Sequence, residues 1–188
     1  MRRPLTALLA VGLLSAAGVQ AQRGWATVSP PDMGFRAVFP REPEHYAQSN
    51  RTESGTWVGT TWEVDDVVRD RAFQVTVKDY SRYDTAGASI DAVLDAMCRG
   101  HDPNAEIHSL PASVPARRCT SERGVGGTEM RVYWVAPRLY VASHICGRQD
   151  CTSDRARFFG GFQLVRCATP ERQESAIESG EAPTTSWP

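Results

Sequence analysis

The 188-residue chain contains no Cys-x-x-Cys motif, no Gly-x-Ser-x-Gly elbow and no second long apolar run after its first residues. The first absence removes the tight dithiol turn that thiol–disulfide oxidoreductases use. The second removes the strand-to-helix nucleophile of the α/β-hydrolases. The third leaves nothing downstream long enough to cross a bilayer as a helix, which takes about 20 apolar residues. Positive charge is not in excess either. Lys and Arg number 21 against 22 Asp and Glu, a formal net charge of −1, whereas a nucleic-acid partner calls for a basic patch or stripe. Histidine is scarce: His45, His101, His108 and His144 have no evident nucleophile partner in the sequence. No internal repeat occurs.

What is present begins with a leader. "MRRPLTALLAVGLLSAAGVQA" has a basic start at Arg2 and Arg3, an apolar run from Leu5 to Val19, and small residues at Val19 and Ala21. This is the pattern of a secretory signal peptide, with cleavage expected after Ala21 to leave Gln22 as the mature N-terminus. No cysteine lies near that site, which argues against a lipid anchor. Removing 21 residues from 188 leaves 167, and the loss of Arg2 and Arg3 takes the net charge from −1 to −3. A chain of that length supports one domain with its own core. Export to the periplasm or beyond also sets an oxidising environment for cysteines.

Strand and helix periods alternate along residues 22–167. "FRAVFPREPE" reads as a short strand ending at Pro40, and "TWVGTTWEVDD" is rich in residues that suit a pleated, half-buried surface. In "RAFQVTVKDYS", Phe73, Val75 and Val77 alternate with Gln74, Thr76 and Lys78, the period of a strand. In "ASIDAVLDAMCRG", Ile90, Val93, Leu94 and Met97 fall on one helical face, with Ser89 as a cap and Gly100 suited to the end. Cys98 then falls at the edge of that face. "EIHSLPASV" and "ARRCTSERG" read as strands, and "GGTEMRVYWVAPRLYVASHIC" as a hairpin turning at Pro137. Residues 153–164 read as a second helix through Phe158, Phe159 and Phe162, weakened by Gly160 and Gly161. Residues 168–188 are polar, contain Pro and have few apolar residues, the composition of a disordered tail.

Four of these stretches resemble the PsbP-like proteins, a superfamily that also includes the Ran-binding Mog proteins. "GFRAVFPREPE" resembles their opening motif, and "FQVTVKDYS" their strand ending in an Asp-Tyr pair. "RVYWVAPRLYVASHI" resembles their hairpin with Arg-Leu-Tyr, and "RFFGGFQLV" their closing helix, with Gly161 where Ser is usual. The resemblance runs in order over residues 24–167. It implies an α+β fold, an α/β/α sandwich with a central antiparallel sheet flanked by helices. It also implies a binding or accessory role, and no catalytic position carries over.

The residues that invite a chemical reading are His144, Cys146 and Cys151. A zinc site wants four ligands at close spacings, and here one Cys-x4-Cys stands without a second pair. Cys151 just before a helix suits a lowered thiol pKa, yet four intervening residues make a looser ring than a redox motif. A pair of disulfides, Cys98–Cys119 and Cys146–Cys151, with Cys167 left over, fits the expected positions. Cys98 looks toward the sheet that holds Cys119, and Gly147 permits the turn between Cys146 and Cys151. Cys167 can instead take Cys146 or Cys151, and five cysteines with one unpaired allow fifteen connectivities. Asp65 and Asp66 point to opposite faces of a strand end and read as a solvated turn. Trp57, Trp62 and Trp134 read as packing residues rather than a ligand groove, while Trp25 and Trp187 sit near the mature ends. His144 reads as a surface residue or a satisfied polar one.

These observations lead to an exported, non-catalytic binding or accessory protein of the cell envelope, with no cofactor or metal. Its partner is a protein or small molecule of the envelope, not nucleic acid, and no membrane span remains after leader cleavage. The rival expectations are a periplasmic small-ligand binder with a pocket between a helix and the sheet and, behind it, a thiol-redox protein using Cys146 and Cys151.

Overall fold

The computed structural model describes residues 24–84, 87, 89–123, 126–147 and 149–165. The leader with Ala21, the tail from residue 168, Cys167 and Trp187 lie outside them. Ten strands and two α-helices follow one another among the described residues. They are β1 (Ala26–Val28), β2 (Phe35–Phe39), β3 (Glu44–Thr52), β4 (Gly55–Asp66), β5 (Arg71–Tyr83), α1 (Ile90–His101), β6 (Glu106–Ser109), β7 (Ala116–Arg123), β8 (Gly126–Val135), β9 (Arg138–Cys146), α2 (Thr152–Gly161) and β10 (Gln163–Leu164). Seven strands form one antiparallel sheet in the order β3-β4-β5-β9-β8-β7-β6, and β1-β2-β10 form a small second sheet.

Alternation along the strands sorts two cores onto the two faces of the large sheet. On one face Phe73, Val75 and Val77 of β5 and Tyr140 and Ala142 of β9 pack under β2 and α2, through Phe35, Phe39, Phe158 and Phe159. On the other, Leu139 and Val141 of β9 and Met130 and Val132 of β8 pack under α1, through Leu94 and Cys98. The expected antiparallel sheet with two helices is therefore present. Its layers differ from the expected sandwich in one respect, because α2 shares its layer with the small sheet.

The stretches singled out by motif meet one another. Phe39 of β2 lies edge-on to Phe158 of α2 at 5.6 Å, and Phe35 stacks with Phe162 at 6.2 Å. Asp79 and Arg138, from the Asp-Tyr and Arg-Leu-Tyr motifs, are register partners on β5 and β9, with Oδ2 and Nε 3.2 Å apart. These motifs thus specify packing.

Several details depart from the sequence reading. Ser89 caps α1 as expected, its Oγ accepting from the Ala92 N–H at 3.4 Å, but the helix runs past Gly100 to His101. Cys98 is fully buried beside Leu94, four residues away, so it sits within the covered stripe and not at its edge. The second helix stops at Gly161; Phe162 is extended, and Gln163–Leu164 pair with β2. Gly161 is there for space, since a Cβ on it would land on the Val38 side chain, whereas one on Gly160 meets nothing within 4 Å. Strand β3 carries no hydrophobic alternation. All nine of its residues are exposed, and it forms only because β4 offers it an edge.

Candidate functional site

The corner from His144 to Cys151 is structural in its geometry. Cys146 ends β9 and Cys151 occupies the N-cap of α2, with Cα atoms 6.2 Å apart and the sulfurs at disulfide distance. Cys98 and Cys119 stand likewise, with Cα atoms 5.6 Å apart, between α1 and β7. Gly147 serves the corner by close approach. Its N–H donates to the Asp70 carbonyl at 2.7 Å, and a Cβ there would collide with the Asp70 carboxylate.

His144 is not a surface residue. It is fully buried under α2, its ring centroid 4.7 Å from that of Phe73, and neither ring nitrogen has a hydrogen-bond partner. Burial pushes its pKa down to about 4. Arg155 and Arg71 push the same way, while Asp154 and Glu129 oppose them. No group of three or more His, Cys, Asp or Glu side chains able to hold a metal ion occurs among the described residues.

Beside His144, and unanticipated from sequence, Glu129 is buried between two arginines. Its carboxylate accepts from Arg118 Nη2 and from Arg131 Nε, each at 2.9 Å. The guanidinium of Arg131 also lies over the Phe159 ring, 4.3 Å from its centroid. Both oxygens of this carboxylate are engaged by a cation, so the group joins β7, β8 and, through Arg131 and Phe159, α2. Such a buried network is costly to break and sparing in what it adds to stability.

The acidic pair ends strand β4 and is not a free turn. Asp66 accepts from the Arg69 N–H and holds Arg69 and Arg71 at 3.1 and 3.0 Å, whereas the Asp65 carbonyl accepts from Arg41 at 2.9 Å. The tryptophans divide. Trp62 is buried against Phe35 at 4.9 Å, and Trp25 packs on Phe73 at 5.5 Å. Trp57 and Trp134 are only part-buried, and both flank Tyr80, at 6.4 and 6.0 Å, on the α1 side of the sheet.

That same side carries the strongest candidate for a binding site. Helix α1 packs chiefly on β7 and β8, and a groove of about 400 Å³ runs along its flank toward β3, β4 and β5. Ala96, Met97, Gly100 and His101 form one wall, and Tyr46 and Gln48 of β3 form the other. The floor is mixed: Thr61 and Thr76, 1% and 6% exposed, share a hydrogen bond of 3.0 Å and Ser143 donates to Gln74 at 3.4 Å, while Met130 and Val141 add apolar surface. Lys78 enters from β5, its ammonium 4.8 Å from the Trp57 ring centroid. These groups offer hydroxyl, amide and ammonium contacts to a polar molecule. The signal that could have found the groove was visible in the strand itself, because Gln74, Thr76 and Lys78 are the polar half of the cleanest alternation in the chain.

No helix among the described residues is long and apolar enough to cross a membrane. No family model matches the chain, and no curated protein sequence matches it. Among solved structures, the chain is similar to cyanobacterial PsbP from Synechocystis sp. PCC 6803 in solution, with 11% sequence identity, 81% of this chain and 99% of that chain covered, and a TM-score of 0.48.

Proposed function

We propose that this chain is an exported, non-catalytic binding protein of the cell envelope, periplasmic or secreted, and that it binds a polar partner in the groove beside α1. The observation that carries the reading is the composition of the groove floor. The opposite face of the same strands is packed with Phe73, Val75, Val77 and Val64, whereas Thr61, Thr76 and Ser143 bury hydroxyls beneath an open groove. These hydroxyls are bonded within the floor, as buried polar groups must be, and their place beneath an open groove, where the opposite face carries apolar side chains, supports recognition of a polar partner. The groove is open rather than deep, and it sets hydroxyl, amide and ammonium groups beside Met97, Met130 and Val141, which admits a polar occupant. Its volume falls in the usual range for a small-molecule site, and so supports the small-ligand form of this role over a purely protein-docking one.

Export rests on the leader and on the two cysteine pairs at disulfide distance, which suit an oxidising compartment. Both pairs belong to the proposal as structural disulfides, with Cys146 and Cys151 as the corner staple. Membership of the PsbP-like and Mog-like superfamily also belongs to it, and is supported by the four motifs that pack against one another.

The test is a variant that fills the groove. Gly100 lies on its wall, and a side chain there starts in open space. Native mass spectrometry of the exported protein, incubated with fractionated small molecules of its own envelope, should show a bound species on the wild type and none on Gly100→Trp. A species that stays bound to the filled variant would place recognition elsewhere and sink the reading.

A further inference from the structure

We propose that the groove beside α1 takes a small hydroxylated oxyanion, a sugar-sized molecule bearing a carboxylate or a phosphate, with the Lys78 ammonium as its anchor. This rests on the groove being the binding site.

Lys78 is the one lysine among the chain's 21 basic side chains. Arg71, Arg117, Arg118, Arg131 and Arg138 each hold a carboxylate. Lys78 holds none among the described residues, and its partner is the face of Trp57. Burial lowers its pKa, the mark of a cation set in a poorly solvated place without a counter-ion. A desolvated ammonium of this kind gains most from an anionic ligand, which supplies the missing charge and hydrogen-bond acceptors.

The surroundings fit that ligand. None of the residues lining the groove is acidic. Glu63, the acid next along β4, accepts from the Tyr46 hydroxyl at 3.2 Å. An anion entering beside Lys78 therefore meets no carboxylate on the walls, although the chain as a whole is net negative. The amides of Gln48 and Gln74 match a ligand that both donates and accepts, with the bonded hydroxyls of Thr61, Thr76 and Ser143 beneath them. Trp57 lies behind Lys78 and holds the ammonium over its ring face, 4.8 Å from the centroid. Lysine in place of arginine also suits a compact, adaptable point charge rather than a planar clamp on one fixed geometry.

The single lysine makes the experiment direct. Reductive methylation of the full exported chain with isotope-labelled formaldehyde keeps the charge and marks two amines, the N-terminus and Lys78, each giving an NMR signal. Titrations use glucuronate, a glucose phosphate ester, neutral glucose and acetate. The expected result is a saturable shift of the Lys78 signal with glucuronate or the phosphate ester, the stronger of the two identifying carboxylate or phosphate. Glucose and acetate should bind at least tenfold more weakly. Calorimetry on unlabelled protein should show Lys78→Gln losing at least tenfold in affinity for the charged sugar, the worth of one charge-assisted contact.

Glucose binding as well as the charged sugars, no shift with either charged sugar, or unchanged affinity in Lys78→Gln would each overturn the oxyanion assignment. If the envelope ligand is still lost from Gly100→Trp, the groove stands and only its chemistry is wrong. If that loss is absent as well, both readings fall.

Discussion

Acidification should weaken this fold before its carboxylates begin to protonate, and His144 should be the cause. In the unfolded chain His144 titrates near 6.5; under α2 burial holds it down to about 4, with Arg155 and Arg71 adding to the shift. The carboxylates that oppose them are already committed, Glu129 to Arg118 and Arg131 and Asp154 to Arg71. Because the folded pKa lies below the unfolded one, the unfolded chain takes up the proton first. The stability is thus fully present above 6.5 and is lost as the pH falls from there through 4. The gap amounts to about 3 kcal/mol in all, of which about 2.5 kcal/mol is lost between roughly pH 7.5 and pH 4.5. Asp66 and Asp79, whose pKa values are lowered from 3.8, also contribute stability that acid removes, but only as the pH falls below that value. The two windows therefore separate. Urea unfolding of wild type and His144→Leu, followed by tryptophan fluorescence across this range, measures the difference. The wild type should lose about 2.5 kcal/mol more than the variant, and the variant should be at least as stable at neutral pH, since it buries no unpaired ring nitrogen. Equal losses in the two proteins, or an NMR titration of His144 near its ordinary value, would refute the reasoning.

The paired glycines of α2 should respond in opposite directions. Gly160→Ala should stabilise by up to about 1 kcal/mol as a better helix former in open space, whereas Gly161→Ala should destabilise because its methyl meets Val38; thermal melts of both distinguish them. Peptide mapping without reductant should join Cys98 to Cys119 and Cys146 to Cys151 and leave Cys167 free. With a sequence separation of 21 against 5, losing the first pair should cost about 3 kcal/mol and the second about 2 kcal/mol. A peptide joining Cys167 to Cys146 or Cys151 would break that pattern. Terminal sequencing of exported protein should begin at Gln22, and an intact Met1 in a membrane fraction would contradict the leader.

The sequence by itself determined the elements whose periods are strong. Phe73, Val75 and Val77 announce β5, and Ile90, Leu94 and Met97 announce α1, because a backbone of fixed pitch returns its apolar residues to one side. It also made Cys98 with Cys119 and Cys146 with Cys151 fitting pairs, since an amphipathic helix turns its stripe toward the sheet and a short loop keeps its ends close, but it left fifteen connectivities open. Alternation says which side of a strand a residue takes, but not what will cover that side. His144 read as a surface residue or a satisfied polar one on an alternating strand, and it is neither, being buried with both ring nitrogens unpartnered. It is buried because α2 folds back over it and because Arg71 reaches Asp154, 83 residues away. Glu129 became a buried ion-pair centre only when β7, β8 and β9 were aligned in register. Strand β3 had no apolar alternation to read, being held by backbone pairing to β4 and by contacts such as Tyr46 to Glu63 and His45 to Trp62. The groove depended on tertiary structure most of all. Gln74, Thr76 and Lys78 were legible as the polar half of a strand, but they became the floor of a site only because α1 packs chiefly on β7 and β8. Where a helix docks is decided by the summed packing of residues far apart in the chain, and local pattern carries no record of it.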